Sequence, residues 1–297
     1  MEDLLRIVIL GIVQGLTEFL PISSDGHLIV VGTLYESLTG RKLEGEQITL
    51  TIALHAGTFV TVLVVFRKQI LRLLNQDRRV IPLLIVGTIP VGIFGLMLKK
   101  TDWGKWLINS PIAAGIGLVI TGLILLWGTR TSEDIAGTGD EASKSDRTTD
   151  EPKSAAELGG AAGRIRYSQL NYAQTLVIGC FQAAAALPGV SRSGSTIASG
   201  LRISNLRRED AANFSFLLSI PAIGGAVFVE CIELMRKGDA GGFAVGHLAI
   251  GAATAMLVGF IALRWLLTWV RGGRLHLFAY WCIPLGIIVT AWQMMAA

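Results

Sequence analysis

A polar stretch inside an apolar run most constrains what this chain can fold into. Residues 14–27 read QGLTEFLPISSDGH, and apolar residues flank them at 7–13 and 28–31. Ionisable groups at membrane depth are costly and are usually functional there. Pro21 and the SSDG residues after it interrupt a helix, and irregular backbone survives at that depth only when protein buries it or it lines a cavity. The stretch therefore predicts a broken, re-entrant helix that presents a polar site.

The composition indicates a membrane protein with several spans. Of the 297 residues, 52% are hydrophobic and only 16% are charged, whereas a typical soluble domain carries about 25% charged residues. Membrane lipids are therefore expected partners, and nucleic acid is not. The acidic start of the chain and the polar residues at 14, 17 and 18 argue against a cleaved signal peptide.

The apolar pattern occurs twice along the chain. A shift of 168 residues pairs Gln14 with Gln182 and Ser23 with Ser191 without a gap, which indicates an internal repeat. The predicted elements are a re-entrant segment at about 7–35 with spans at about 48–66, 81–98 and 111–127, then a re-entrant segment at about 171–203 with spans at about 211–230, 247–267 and 275–295.

These elements predict an all-α polytopic membrane protein. Residues 1–128 form the first repeat and 169–297 the second, and the Gly/Ser-rich, mixed-charge segment 129–168 is a disordered linker between them. Each repeat holds a re-entrant broken helix plus three transmembrane helices. Because three is odd, the second repeat must be inverted relative to the first, an arrangement that builds polar sites near the midplane.

Basic residues are distributed unevenly between the two sides of this topology. The side that holds the linker and the dense cluster Arg67–Arg79 has seventeen basic residues, and the other side has eight. Positive charge accumulates on the cytoplasmic side of membrane proteins. The linker is therefore expected in the cytoplasm, with both termini and the opening of the site facing outward.

The first broken segment carries side chains suited to a metal and a phosphate. Gln14 and Glu18 are four residues apart, so both project from one face of a helix and could hold a hard cation such as Mg²⁺. The alternative is a glutamate satisfied by a helix–helix hydrogen bond. Ser23-Ser24-Asp25-Gly26 resembles an N-cap for a half-helix from His27 to about Tyr35, whose first turn favours an anion. His27 is expected to face the same pocket as nucleophile or general acid/base.

The second broken segment, PGVSRSGST, predicts a phosphate cradle. One arginine lies among hydroxyls and a glycine turn at the start of a half-helix, a combination that binds phosphate oxygens. The repeat pairs Ser24 with Arg192, so one half supplies the nucleophile and the other the positive charge. His55, in the middle of the predicted span at about 48–66, either lines the same cavity or is a hydrogen-bonded core residue. The cradle residues are Ser191, Arg192, Ser193, Gly194, Ser195 and Thr196.

These two motifs resemble those of the undecaprenyl-diphosphatase, or bacitracin-resistance, membrane phosphatases. QGLTEFLPISSDGH matches that family's (E/Q)xxxE and P-x-S-S-x-G-H signatures, PGVSRSG matches its second motif, and the resemblance covers essentially the whole chain. It implies catalytic roles for Glu18, Ser24, His27 and Arg192. It further implies substrate binding by Gln14, Ser23, Ser191, Ser193, Gly194 and Thr196, and metal binding by Glu18 and Gln14.

The implied reaction is hydrolysis of a C55 polyprenyl diphosphate to the monophosphate lipid carrier and inorganic phosphate, in a bacterial plasma membrane. It would recycle the carrier for cell-wall synthesis and confer bacitracin resistance. A divalent cation, Mg²⁺ or Ca²⁺, is the implied cofactor, and the nucleophile is Ser24, His27 or water. Two departures are notable: Gln14 stands where many relatives have Glu, and the linker is longer than usual.

The rival hypothesis is a polyprenyl-phosphate transporter or flippase, since inverted repeats with broken helices also build transporters. A histidine and serines beside a metal-competent carboxylate favour the enzyme, because transport needs no nucleophile. The lipid tail would leave between spans, near small residues such as Gly87, Gly92 and Gly95. A homodimer is left open.

Overall fold

A computed structural model describes residues 2–40, 46–129, 164–237 and 245–296. These residues form α-helices, two 3₁₀ turns and one isolated bridge, with no β-strand within the described ranges. The helices are α1 Glu2–Phe19, α2 Ser24–Thr39, α3 Glu46–Val65, α4 Arg67–Asn75, α5 Val80–Lys100, α6 Asp102–Ile108, α7 Pro111–Thr129, α8 Tyr172–Ala184, α9 Arg192–Arg202, α10 Arg208–Lys237, α11 Val245–Arg271 and α12 Ala279–Ala296.

The helices confirm an all-α polytopic membrane protein. Within the described residues, five helical segments are long and apolar enough to cross a bilayer: Val80–Lys100, Pro111–Thr129, Arg208–Ile232, Gly246–Arg271 and Arg274–Met295. A sixth span is possible only if α3 is combined with α4, from which it is bent by 64°. The division into repeats at 1–128 and 169–297 and their inverted relation stay predictions.

Helix α4 lies between the predicted spans at about 48–66 and 81–98, where the sequence predicts no helix. Its sequence RKQILRLLN places Ile70 and Leu73 three residues apart, and both pack against the hydrophobic core. Leu71 and Leu74 lie on another face and are exposed. The helix therefore has one face against the protein and one apolar face away from it, between exposed basic residues.

Helices from the two halves of the chain pack extensively against each other. The most extensive contacts join α7 with α12, α1 with α11, α3 with α11, and α5 with α8. Helices α3 and α10 also pack together, and α9 packs against α7. The core is therefore shared, and each half supplies one wall of it.

The end of the predicted linker differs from the expectation. Residues 130–163 lie outside the described residues, but 164–168 belong to the folded body. Ile165 forms an isolated bridge with Leu206, and its amide donates to the carbonyl of Asn205 at 3.0 Å. Ile165 and Tyr167 are apolar enough to pack on the core, which holds this segment down.

One face of the molecule gathers the arginines. Arg79 donates to the Leu170 carbonyl at 3.4 Å, and Arg271 pairs with Glu209 at 2.8 Å, so the ends of four helices meet there. At the opposite face Lys99 of α5 pairs with Glu230 of α10 at 2.9 Å. These contacts fix which loops share a side of the molecule.

Candidate active site

The first broken segment ends α1 at Phe19 and starts α2 at Ser24, with Ser23 as the N-cap. The Ser23 hydroxyl accepts a hydrogen bond from the Gly26 amide at 3.3 Å, as the SSDG pattern predicts. Ser23 has a φ of 69°, which is strained for a residue with a β-carbon. This strained turn directs the side chain of Ser24 toward Glu18, as described below.

The second broken segment ends α8 at Ala184 and starts α9 at Arg192, with Ser191 as the N-cap. The Ser191 hydroxyl accepts from the Gly194 amide at 3.1 Å. Gly189 has a φ of 80°, which glycine adopts without strain. Thr121 of α7 fastens this loop, because its hydroxyl donates to the Gly189 carbonyl and accepts from the Ser191 amide, both at 2.8 Å.

The two broken segments touch each other. A β-carbon on Gly26 would lie 2.9 Å from Cα of Gly189, closer than real β-carbons approach other atoms. The Ser193 hydroxyl donates to the Leu20 carbonyl at 3.4 Å. The half-helices α2 and α9 therefore begin side by side, which brings their N-terminal side chains to one place.

Glu18 is the centre of this meeting point. Its side chain is 5% exposed, and Arg192 donates to Oε1 at 2.7 Å. The Ser24 hydroxyl donates to Oε2 at 2.6 Å, and the Gln14 amide donates to the same oxygen at 3.1 Å. The carboxylate therefore links the serine of one broken segment to the arginine of the other, which are the two residues that the repeat pairs.

A cavity of about 260 Å³ opens beside Glu18. Ser24 and Arg192 line it together with the ionisable residues Asp25, His55 and Glu230. Its apolar wall comes from α5, α10 and the second broken segment, namely Val91, Ala185, Val190, Ala222, Ile223, Ala226 and Val227. The cavity thus has a polar end, where the half-helices begin, and an apolar side.

The sequence-predicted site residues divide into two groups. Glu18, Ser23, Ser24, Ser191 and Arg192 line the cavity. The others lie buried behind its wall, where their side chains bond neighbouring protein groups: Gln14 bonds Glu18, Ser193 bonds the Leu20 carbonyl, and Thr196 bonds Ser215 at 2.6 Å. Gly194 supplies the amide that Ser191 caps.

His27 does not face the cavity, which differs from the expectation. Its Nδ1 donates to the Ser23 carbonyl at 2.7 Å, and its Nε2 accepts from the indole N–H of Trp281 at 3.0 Å. Both ring nitrogens are therefore engaged, and neither lone pair is available for attack. The first turn of α2 points His27 toward α12 instead. The catalytic role of His27 stays a prediction.

Three ionisable residues of the cavity are not among the site residues that the sequence predicts. Asp25 belongs to the SSDG cluster but read as a capping residue, and Glu230 read as the end of a span. His55 was left undecided, and the structure places it on the cavity wall. A lone carboxylate at the end of an apolar helix was the available signal for Glu230.

The donor set near Glu18 fits only a metal that the substrate helps to hold. Within the described ranges no cluster of three or more His, Cys, Asp or Glu side chains is arranged to bind an ion. Gln14 Oε1 is nevertheless buried and without a hydrogen-bond partner, and Glu18 retains acceptor capacity beyond its three donors. Mg²⁺ and Ca²⁺ need about six or more oxygen ligands, so most of them would come from phosphate and water.

The glycines of α5 differ in their surroundings. Gly87 packs closely against Leu218 and Thr175, whereas Gly92 and Gly95 have nothing within 4 Å of an added β-carbon. Val91, which neighbours Gly92, lines the cavity. The face of α5 beyond the cavity is therefore open.

Fold and site together define a class: a polytopic α-helical membrane protein with a buried polar site where two broken helices meet. Comparison with known proteins identifies the family. Residues 7–288 match the family described as bacitracin resistance protein BacA, and the chain belongs to that family.

Curated relatives cover nearly the full chain. The chain is 45% identical over 289 residues to a protein of Rhodopirellula baltica named undecaprenyl-diphosphatase, with 97% of this chain and 98% of the relative aligned. It is 33% identical to an undecaprenyl-diphosphatase of Methanosphaera stadtmanae, with 97% of each chain aligned. A protein of Bacillus cereus named undecaprenyl-diphosphatase 4 is 34% identical, again with 97% of each aligned.

Proposed function

We propose that this protein hydrolyses undecaprenyl diphosphate to undecaprenyl phosphate and inorganic phosphate, and so recycles the lipid carrier of cell-wall synthesis and confers resistance to bacitracin. Membership of the BacA family and the names of the relatives support this reaction. They give no support to the transporter alternative.

The observation that carries the proposal is the Ser24–Glu18–Arg192 arrangement. Ser24 Oγ lies 2.6 Å from Glu18 Oε2, so the carboxylate can take the hydroxyl proton. Nη1 of Arg192 is buried and has no hydrogen-bond partner, although Nη2 binds Glu18. A buried, unsatisfied guanidinium nitrogen costs free energy unless a ligand completes it. A phosphate oxygen is the ligand that fits.

In the proposed reaction Ser24 Oγ attacks the terminal phosphorus of the diphosphate, and its proton passes to Glu18. The bond between that phosphorus and the bridging oxygen breaks, and the lipid monophosphate leaves. Water then attacks the phosphorus of the phosphoserine, the bond between that phosphorus and Ser24 Oγ breaks, Glu18 returns its proton to Oγ, and inorganic phosphate leaves. Arg192 stabilises the charge on the transferred group throughout.

We propose that Glu18 and Gln14 Oε1 are the residues that would hold a Mg²⁺ or Ca²⁺ ion brought with the substrate. When bound, the cation would neutralise charge on the diphosphate. Ser191 and Ser23 hold the helix starts, whose free N–H groups favour the phosphate anion. His27 positions the first broken segment through its bond to the Ser23 carbonyl. Ser193, Gly194 and Thr196 hold the second one in place.

We propose a bacterial plasma membrane as the location, with the arginine-rich face in the cytoplasm and the cavity opening outward. The Lys99–Glu230 pair lies at the outer end, and Glu230 lines the cavity. The apolar wall formed by α5 and α10 continues from the polar end, so the first isoprene units would lie against Val91 and Ala226. The tail would then pass the open face of α5 at Gly92 and Gly95 into the bilayer.

The decisive experiment measures phosphate release from undecaprenyl diphosphate by the purified protein, with Mg²⁺, with Ca²⁺ and with a chelator. Ser24→Ala, Glu18→Ala and Arg192→Ala should each lower kcat by at least about 100-fold, the scale of removing a group that acts in the transition state. Thermal unfolding of each variant provides the folding control.

His27→Ala separates the two roles considered for that residue. A positioning role predicts a lower melting temperature and a partial loss of turnover. Loss as complete as that of Ser24→Ala, in a protein that unfolds at the wild-type temperature, would assign the attack to His27. If all three single variants, Ser24→Ala, Glu18→Ala and Arg192→Ala, kept near-normal turnover, the proposed site would be refuted.

A further inference from the structure

The cavity holds an unexpected number of carboxyl groups for a site that admits a diphosphate. Glu18, Asp25 and Glu230 all line it, beside the single guanidinium of Arg192. That guanidinium is already paired with Glu18 at 2.7 Å. Like charges repel more strongly in a poorly solvated site than in water, so every other carboxylate of the cavity opposes the entry of a polyanionic substrate.

Glu230 belongs to the same face of α10 as the apolar wall of the cavity. Ala222 and Ala226 line that wall, and Glu230 follows at the next interval of four residues. Residues four apart lie on one face of a helix. The carboxyl group is therefore one turn beyond Ala226, with its side chain 25% exposed and directed along the cavity rather than away from it.

The partner of Glu230 lies outside the cavity. Lys99, near the end of α5, places Nζ 2.9 Å from Oε1 of Glu230, and Lys99 is not among the lining residues. The pair joins the two helices that form the apolar wall, so it could act as a mechanical latch or as a charge pair. Partly exposed ion pairs add little to stability. Their effect on a nearby charged ligand is larger, because that ligand carries several charges.

We propose that Lys99 sets the affinity of the cavity for the diphosphate group by neutralising Glu230. This inference rests on the proposed function, since it concerns the same substrate. A diphosphate in the cavity lies close to Glu230, and charges nearer than a Debye length, about 8–10 Å, are only weakly screened by salt. Lys99 acts through Glu230 and does not contact the reacting atoms, so its removal affects KM rather than kcat.

The test measures phosphate release from undecaprenyl diphosphate by variants of both residues. Lys99→Met keeps a long unbranched side chain and removes its charge. We expect it to raise KM about 5- to 20-fold, with kcat within about twofold of wild type. Lys99→Arg should restore KM. Glu230→Gln keeps the shape and removes the carboxylate, so it should lower KM below the wild-type value.

The double variant separates charge from a mechanical latch. Lys99→Met combined with Glu230→Gln leaves no charge at this position, so KM should return to within about threefold of wild type. A latch between α5 and α10 predicts instead that each single change impairs the enzyme and that the double variant stays impaired.

Lys105→Met is the matched control. Lys105 lies in α6, just beyond the end of α5, and its ammonium pairs with Asp102 at 3.2 Å. Neither residue lines the cavity. The variant removes one positive charge from the same region of the molecule without exposing a cavity carboxylate, so its KM should equal that of wild type.

Inorganic phosphate provides a measure of binding that does not depend on turnover of the lipid. It carries fewer charges than the diphosphate, so Lys99→Met should weaken its inhibition by a smaller factor than it raises KM. Inhibition that is unchanged in Lys99→Met would contradict the proposal, because an uncompensated carboxylate repels both anions.

The outcomes separate the inference from the function beneath it. A wild-type protein that releases no phosphate refutes the proposed function, and this inference with it. An active wild type with KM of Lys99→Met within about twofold refutes only the role of Lys99. A Glu230→Gln variant as impaired as Lys99→Met also refutes only that role, in favour of the latch. If Lys99→Met fails to fold, Lys99→Gln makes the same comparison with a neutral polar side chain.

Discussion

At the scale of residues, Thr121 is the contact that the sequence conceals. It lies in the middle of an apolar span, and nothing in its neighbourhood marks it. Its hydroxyl spans the second broken segment by bonding both Gly189 and Ser191, and it is 1% exposed. Arg192 directly follows Ser191 in the chain. The Thr121 hydroxyl on α7 therefore helps to fix the backbone position from which the Arg192 side chain extends.

Removing that hydroxyl should displace Arg192 without unfolding the protein. Thr121→Val keeps the shape but leaves the Ser191 amide without its partner, which costs about 1–3 kcal/mol. We expect turnover to fall about tenfold or more, whereas Thr121→Ser, which restores the hydroxyl, should recover it. Steady-state kinetics and thermal unfolding measure the two effects.

Thr88→Val provides the comparison, because the Thr88 hydroxyl only bonds the carbonyl of Leu84 within its own helix. It should leave turnover unchanged. Equal loss of turnover in Thr121→Val and Thr88→Val would show that the effect is not specific to the broken segment.

The residues that carry charge were predictable, and their geometry was only partly so. Glu18, Ser24 and Arg192 are conspicuous because polar groups are rare in spans, and the structure brings all three together. His27 is equally conspicuous, but the sequence does not show how α2 is rotated about its own axis. That rotation decides whether a side chain in its first turn faces the cavity or α12. The partner that decides it, Trp281, is 254 positions away in the chain.

At the scale of elements, the two broken segments depend on close approach. Gly189 sits against α7, and a β-carbon there would lie 2.8 Å from the Leu118 amide nitrogen, in addition to straining its positive φ. Gly92 on α5 has open space instead. Replacement by alanine is therefore expected to affect the stability of the protein differently at these two glycines.

Gly189→Ala should destabilise the protein by about 1–3 kcal/mol through overpacking and backbone strain. It should also reduce turnover, since the loop carries Ser191. Gly92→Ala should be neutral or slightly stabilising, because alanine favours a helix interior by about 1 kcal/mol over glycine. Melting temperatures in one detergent provide the comparison, and a Gly189→Ala protein as stable and active as wild type would contradict the close approach.

The positions of the long apolar helices can be predicted from hydropathy, whereas the existence of α4 cannot. Spans need about 20 apolar residues, and such runs are visible in any sequence of this kind. Helix α4 has nine residues with basic and apolar positions intermixed, so its pattern reads equally well as a loop until the core contacts of Ile70 and Leu73 are known.

At the scale of the whole molecule, the arginine-rich face predicts the orientation. Arg78 is exposed on that face, and Lys105 is exposed in α6 at the other end of α5. In a background lacking Cys180, Cys231 and Cys282, Lys105→Cys should react with a membrane-impermeant maleimide in intact cells. Arg78→Cys should react only after the membrane is opened.

The reverse labelling pattern would invert the topology and place the cavity opening toward the cytoplasm. Equal labelling of both cysteines in intact cells would mean that the two faces are not separated by the bilayer. Each variant needs its expression and activity checked beside the labelling.

The shared core has a consequence for how the protein is made. Helices α1, α5 and α7 find their main partners in α11, α8 and α12, all synthesised after residue 163. The ribosome therefore delivers the first half into the bilayer before the main surface against which α1 packs has been made, and before Arg192 exists to pair with Glu18. A truncated chain ending in the linker would hold a carboxylate in hydrocarbon without its arginine, which makes it a substrate for membrane quality control rather than half of an enzyme. Two separately expressed halves should accumulate only when they are produced together.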